Sequence, residues 1–370
     1  MTPFDIGIDP AVTRPILSLP MPHRCAAADL VTFAFTLLAR AGLDAEKARA
    51  TAEVLVEGDL LGHTTHGLAL LAAYLGDVET GQMRPTGEPE VIADFPAAVT
   101  WDGNRLPGPW LVRRALALAS ERARRNGIGA VSIRRSHHIA CLAAYLRPVA
   151  EQGLMVMLTT SDPGAAGVAP HGGRAQALTP DPIAAAWPTA GEPVLLDVST
   201  SITTNGLTKR LAAEGSKFPG AWAVDATGAA TDDPARVLTQ PPGALLPMGG
   251  LDHGHKGFAF ALLVEALTGG LAGHGRADPS EGWTATVFLQ VFDPSRFGGA
   301  EAFVRQTEHV ATACRAVPPR PGTERVRLPG EAGLQRRREQ LAGGVVLHPT
   351  ILPSLTPWAE KLGVPMPAAT

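Results

Sequence analysis

The 370-residue sequence predicts a mixed α/β (α+β) fold that is not a doubly wound nucleotide-binding sheet. Two observations predict it. Helical signals come first, give way to strand-like runs separated by Pro/Gly-rich loops, and then return, without regular strand–helix alternation. In addition, no G-x-G-x-x-G follows a predicted strand and opens a helix, so a Rossmann fingerprint is missing.

The elements follow in order. Residues 1–22 carry five prolines and no periodicity, and read as an extended arm. Ala26–Ala41 is a helix candidate, and Asp44 can cap a second, with Glu46 in its first turn and Ala48, Ala52 and Leu55 along one face. A third runs from Leu68 to about Val78, ending near Gly81. Pro109–Arg125 is amphipathic, with Pro at its start and Asn126-Gly127 as its stop. Ala130–Ile133, Leu154–Thr160, Pro193–Ser199 and Thr284–Phe292 read as strands bounded by turn residues. The tail from Gly343 is Pro-rich and reads as irregular chain wrapping the surface. No internal repeat is visible.

Composition narrows the class. Apolar residues make up 45% and charged residues 18% of the chain, which fits a globular enzyme rather than a disordered segment. A formal charge of -3 gives no electrostatic reason to expect nucleic acid or an anionic membrane. Cys25, Cys141 and Cys314 are odd in number and far apart, and read as reduced thiols, mostly in the core. The N-terminus lacks a basic stretch followed by an apolar run, and the apolar helix candidate Gly257–Ala272 falls short of the ~20 residues of a membrane span. A cytoplasmic protein is expected.

Three groups of residues suggest chemistry. Gly249–Gly257 superficially resembles a P-loop, but His255 separates Gly254 from Lys256 and Gly257 stands where a Ser or Thr would bind Mg²⁺. A glycine-rich turn leading into an apolar helix from Phe258 would present N–H groups and Lys256 to an anion, or be an ordinary tight turn. The histidines cluster as His63/His66, His137/His138 and His253/His255. His63 and His66 could share a helix face, although Gly62 and Gly67 oppose a regular helix. No nearby Cys or acidic residue completes a ligand set, so no metal is expected. Together these polar segments suggest a site with at least one acid/base imidazole. The absence of a G-x-S-x-G elbow lowers the hydrolase reading, with a metal-dependent hydrolase third in line. Arg336-Arg337-Arg338 reads as the solvated face of a helix.

Six segments, in order from about Ala28 to Val364, resemble the malate/L-lactate dehydrogenase family, which is distinct from the Rossmann lactate dehydrogenases. Asp59–Gly67, continuing to Tyr74, resembles the family stretch ending in Ser-His-Gly. Ser136-His137-His138, with Tyr145 beyond, resembles its Ser-Asn-His segment. Ala169–Gly173 followed by Pro180–Ala184 resembles its Pro-x-Gly-Gly…Asn-Pro loop. Leu196–Ser201, Gly254–Gly257 and Leu328–Glu331 complete the set. The resemblance implies a dimer built on a large, mixed, mainly antiparallel sheet covered by helices, with NAD or NADP held in a non-Rossmann cleft. On that reading the chain divides into the arm 1–22, an N-terminal helical region 23–125, a cofactor-binding and catalytic sheet region 126–345 and a wrapping tail 346–370. His138 would exchange the proton of a small 2-hydroxy or 2-oxo acid, a role that suits a group with pKa near 7. His66 would act beside it, with Thr65 (Ser in the family) and Ser136 on the substrate. Ser161, Asp162, His171, Asp197, Lys256, Gly257 and Glu331 would contact the cofactor.

Departures from the pattern bear on substrate. Relatives often carry Arg four residues after the Ser-His-Gly histidine, where this chain has Leu70, and Arg before the glycine, where it has Leu61. A bidentate carboxylate fork is therefore missing from its usual place. Either Arg134 or Arg135 substitutes, or the substrate is not an ordinary 2-hydroxy carboxylate. The family Asn before Pro is Asp181, and its Lys after Gly206 is Leu207, which disfavours the 2′-phosphate of NADP if that Lys touches phosphate. Reduction of a cyclic imino acid of the piperideine-2-carboxylate type is the nearest rival. An inactive homologue that only binds is the alternative from another class.

Overall fold

The structure is a computed structural model that describes residues 24–280 and 282–368, so the expected arm over 1–22 lies outside the described residues. Its centre is a seven-stranded sheet. The strands are β1 (Glu90–Asp94), β2 (Ala98–Asp102), β3 (Ile128–Ser136), β4 (Met155–Ser161), β5 (Ile183–Trp187), β6 (Val194–Val198) and β7 (Ala285–Phe292). They lie in the order β1-β2-β3-β7-β4-β5-β6, and every adjacent pair is antiparallel except β2–β3. The sheet is thus mixed and mainly antiparallel, as the sequence resemblance implies.

Position in the sheet explains the strand sequences. β7 is central and reads Ala-Thr-Val-Phe-Leu-Gln-Val-Phe, with Val287, Leu289 and Val291 fully buried. A strand covered on both faces favours such a mostly apolar run, here interrupted only by Thr286 and Gln290. β5 carries three consecutive alanines, which have weak strand propensity, and the sequence did not reveal it. Pairing on both sides, with β4 and β6, and close packing of Ala184 and Ala186 hold it in place. β1 and β2, also unforeseen, form the exposed edge, where Val91 and Ile92 face solvent.

Helix α4 (Gly108–Asn126) packs on this sheet, and α2 (Ala45–Leu61) packs on α4, with α1 (Ala27–Arg40) against α2 and α3 (Leu71–Glu79) beside them. α4 starts with Pro109 in its first turn and stops at Gly127, whose φ of 84° is left-handed. Between these ends Leu111, Ala115, Ala119 and Ala123 bury one face, a spacing of four residues.

A smaller three-stranded sheet, with Ala223–Val224 at its centre, has its own apolar cluster of Val168, Leu178, Phe218, Leu245 and Ala261. Helices α5 (Asn205–Ala213) and α6 (Gly250–Glu265) accompany it. α6 corrects the sequence reading. It begins at Gly250 rather than Phe258, so Lys256 and Gly257 lie inside the helix and present no free helix end to an anion.

The C-terminal part holds α7 (Ala300–Ala316), α8 (Glu331–Gly343) and α9 (Ile351–Leu362). The tail is therefore not irregular. Pro357 lies inside α9, but Ile351, Leu355 and Ala359 bury one face in the main core, and this packing outweighs the lost backbone bond. The three arginines of α8 are not merely a solvated face. Arg336 donates to the Leu61 carbonyl at 3.1 Å, Arg337 pairs with Glu57 at 2.6 Å, and Arg338 pairs with Glu192. All three cysteines are free, with Cys25 and Cys141 buried and Cys314 exposed. No described helix is long and apolar enough to cross a membrane.

Candidate active site

α2 ends at Gly62, which takes a left-handed φ of 92° and turns the chain into the segment His63–Gly67. His63 and His66 therefore do not share a helix face. The turn is anchored from below by Asp59, whose carboxylate accepts the Leu68 N–H at 2.7 Å. A Cβ on Gly67 would lie 2.4 Å from that carboxylate, so glycine is needed there for close approach. His66 is held by Thr65, Oγ1 to Nδ1 at 2.8 Å. Burial first, then His63 and Arg210, lowers its pKa to about 4, which keeps the ring neutral near pH 7.

β3 delivers the second histidine pair as it leaves the sheet. His137 is fully buried and bonds Asp77 through Nε2 at 3.0 Å. His138 faces the other way, into a cleft. Its ring lies 4.6 Å from Trp283 and 6.1 Å from His66, centroid to centroid. The Tyr74 hydroxyl lies 2.8 Å from His138 Nδ1 and 3.2 Å from the His138 carbonyl oxygen. The Ala140 N–H donates to the same Nδ1 at 3.2 Å. Among the described residues the ring's hydrogen bonds fall on Nδ1, leaving Nε2 for an incoming molecule. Burial, then His66 and His137, holds the His138 pKa well below the usual histidine value.

The cleft has a volume of about 730 Å³ and takes walls from strand ends of the large sheet and from the segment Val237–Pro242 beside the small one. Near the imidazoles it is apolar, with Leu70, Ile139, Leu142, Trp283 and Ala285. Further along, the first turn of α5 lines it through Thr204, Asn205 and Gly206, with Lys209 beyond. Lys209 is exposed and has no carboxylate partner among the described residues. Ser161 donates to Glu265 at 2.7 Å, and Arg276 bonds the same Glu265 oxygen at 2.6 Å. Directly after Glu265 the helix widens into a π-turn, Ala266–Gly270, an irregularity frequent at functional sites. Asp181 is fully buried, accepts from Thr179, and has one carboxylate oxygen without a partner. Burial, then Glu265, raises its pKa to about 7.

The structure brings together Thr65, His66, His138, Ser161, Asp162 and Asp197 around one cleft. It places other sequence candidates elsewhere. Ser136 is fully buried, and its hydroxyl is used on the His137 carbonyl at 2.7 Å. His171 lies outside that lining, 5.7 Å from His255 by ring centroids, and Lys256 is exposed on α6. Gly257 lets α6 approach the Met248 backbone, which a Cβ would meet at 2.5 Å. Glu331 pairs with Arg315 at 2.6 Å in a separate hollow. Arg134 and Arg135 do not replace a missing fork, since both are bound to the buried Asp102 at 2.9 and 2.6 Å. Trp283, Lys209 and Cys141 were not recognised from the sequence. A lone Trp in a polar loop, a Lys inside a helix and a Cys in an apolar run carry no spacing signal.

A cleft at the mixed sheet thus holds two imidazoles, His66 and His138, with ring centroids 6.1 Å apart. The family model for malate/L-lactate dehydrogenase matches residues 25–356. The chain belongs to that family of oxidoreductases. It is 30% identical over 345 residues to a malate dehydrogenase of Pyrococcus abyssi, covering 91% of this chain and 94% of the relative. It is 31% identical over 340 residues to an L-lactate dehydrogenase of Cupriavidus necator, covering 90% and 96%. The solved Δ1-piperideine-2-carboxylate reductase of Pseudomonas syringae pv. tomato superposes with a TM-score of 0.80 at 30% identity, covering 91% of this chain and 99% of that one.

Proposed function

We propose that the chain transfers hydride between a nicotinamide cofactor, NAD or NADP, and a small 2-hydroxy or 2-oxo acid, with His138 exchanging the hydroxyl proton. The observation that carries this reading is the open Nε2 of a His138 ring whose Nδ1 is occupied by Tyr74 and Ala140. The cleft suits a dinucleotide. The first turn of α5 offers N–H groups and Lys209 supplies an unpaired positive charge, both appropriate to phosphate. A bound nicotinamide ring would supply or take up the hydride.

The residues then handle the proton. His138 is neutral before substrate enters, the correct state to accept a proton from an alcohol. For Nε2 to take that proton, the neutral ring must already carry its hydrogen on Nδ1, so the 3.2 Å contact from the Ala140 N–H gives way and Tyr74 remains the Nδ1 partner. Tyr74 Oη can accept that hydrogen at 2.8 Å because its own hydrogen has a second acceptor, the His138 carbonyl, at 3.2 Å. A substrate carboxylate beside the ring favours the imidazolium, since an opposite charge raises a histidine pKa. His66, neutral and held by Thr65, is available to hydrogen-bond the same substrate. Ser161 and Asp162 lie where the cofactor would extend.

The test is a panel of lactate, malate, sulfolactate and ureidoglycolate with each nicotinamide, followed by absorbance of the reduced cofactor. Turnover with at least one 2-hydroxy acid is expected, and none with any would overturn the reading. Leu70 and Trp283 favour one competing substrate, a cyclic imino acid. That reading requires reduced cofactor to be consumed with piperideine-2-carboxylate and not with pyruvate.

A homodimer is the expected assembly. Leu251, Phe260, Leu262 and Leu263 of α6 are each about half exposed, at 51%, 46%, 50% and 48%, large apolar side chains on one helix that call for a covering partner.

A further inference from the structure

Outside the proton-transfer pair, one cluster in the cleft has donors without ordinary partners. His63 comes from the turn after α2, Cys141 from the loop after β3, and Asp197 from the penultimate position of β6. One ligand atom from each lies within 4.8 Å of the other two. The His63 ring makes no hydrogen bond or ion pair among the described residues. Asp197 Oδ2 accepts the Ala143 N–H at 2.8 Å and a weak bond from the Cys141 thiol at 3.9 Å, while Oδ1 makes no hydrogen bond among the described residues.

We propose that His63, Cys141 and Asp197 form a three-ligand site for a thiophilic divalent cation of the zinc class. The spacing suits an ion once the weak 3.9 Å hydrogen bond from the Cys141 thiol to Asp197 is given up. Bonds of ~2.0–2.3 Å in a tetrahedron put donors roughly 3.3–3.8 Å apart, and the cluster reaches that with a small contraction. A thiolate, an imidazole and a carboxylate select Zn²⁺ or Co²⁺ over Mg²⁺ or Ca²⁺, which prefer all-oxygen shells. The Ala143 N–H orients the carboxylate, the kind of outer contact that stabilises metal sites. Binding exchanges the thiol proton for the metal, so one proton leaves for each ion bound. All three residues line the cleft, so the remaining coordination position faces it. This assigns Asp197 to a metal rather than to the cofactor.

The sequence hid the set because its members are 78 and 56 residues apart in the chain, too far for a spacing motif. The proposal does not rest on the hydride-transfer reading, and its test needs no nicotinamide. Protein carrying Cys314→Ser, which removes the exposed thiol, is stripped with chelator and titrated with Co²⁺ and then Zn²⁺. One equivalent of Co²⁺ should give a sulfur-to-cobalt charge-transfer band that Zn²⁺ bleaches and that Cys141→Ala abolishes. His63→Ala, at a partly exposed position, should weaken Co²⁺ binding about tenfold or more with unchanged circular dichroism. No charge-transfer band in the parent, a band that survives Cys141→Ala, or undiminished affinity in His63→Ala would overturn the site.

Discussion

His138 and Asp181 are both ionisable groups held in their neutral forms by burial, and each has a measurable signature. For Asp181 the signature is in stability. Unfolded, it would lose its proton near the usual 3.8, whereas folded it keeps the proton up to about pH 7. The folded state therefore binds more protons across that window, and stability must fall as pH rises through it. Asp181→Asn removes the titration and keeps the shape, and Asn tolerates the left-handed φ of 42° at this position. Denaturant unfolding at pH 8 should show the variant more stable than the parent by on the order of 1–3 kcal/mol, with the gap narrowing below pH 7 and closing near the unfolded value of 3.8. Asp59, also raised to about 7 by burial, keeps part of the slope in both proteins. At this scale the sequence was legible where a residue sat in a family segment, as with His66 and His138. It was silent where distant residues converge, as with Trp283 against His138 and Cys141 against Asp197.

Helices with clear ends were read well at the scale of the element. α1, α2 and α4 fall within a residue or two of their expected starts, because apolar spacing, an early proline and a stopping glycine act locally. β5 and α9 were not read, since tertiary packing overrides weak alanine strand propensity in one and an internal proline in the other. The turn His63–Gly67 is the element on which the site depends. Its tightness is set by contact between Gly67 and the Asp59 carboxylate rather than by backbone strain, because the Gly67 φ of -101° is open to any residue. Gly67→Ala should lower unfolding stability by about 1–3 kcal/mol, measured by urea titration, and reduce turnover by displacing His66. An unchanged midpoint would mean that Asp59 moves aside freely.

For the whole molecule, the mixed sheet followed from the order of sequence segments and their resemblance, whereas β1, β2, β5 and the separate small sheet did not. Two-residue strands such as Ala223–Val224 and Ala244–Leu245 are too short to leave a period-2 pattern. The cleft is lined by segments as far apart in the chain as His63 and Ala285, a convergence no local pattern announces. The exposed face of α6 extends the same reasoning to assembly. Leu263→Arg should shift the sedimentation of the protein from dimer to monomer, because a guanidinium cannot be buried unpaired at an apolar interface. A dimer that survives the change would place the interface elsewhere.

The proton-exchange role of His138 is tested most directly by His138→Gln, with nicotinamide binding and single-turnover hydride transfer measured on the same sample. Binding should persist while the transfer rate falls by roughly 10²–10⁴-fold, the usual contribution of a positioned acid/base. Transfer at the parental rate with cofactor bound would contradict the role given to this imidazole.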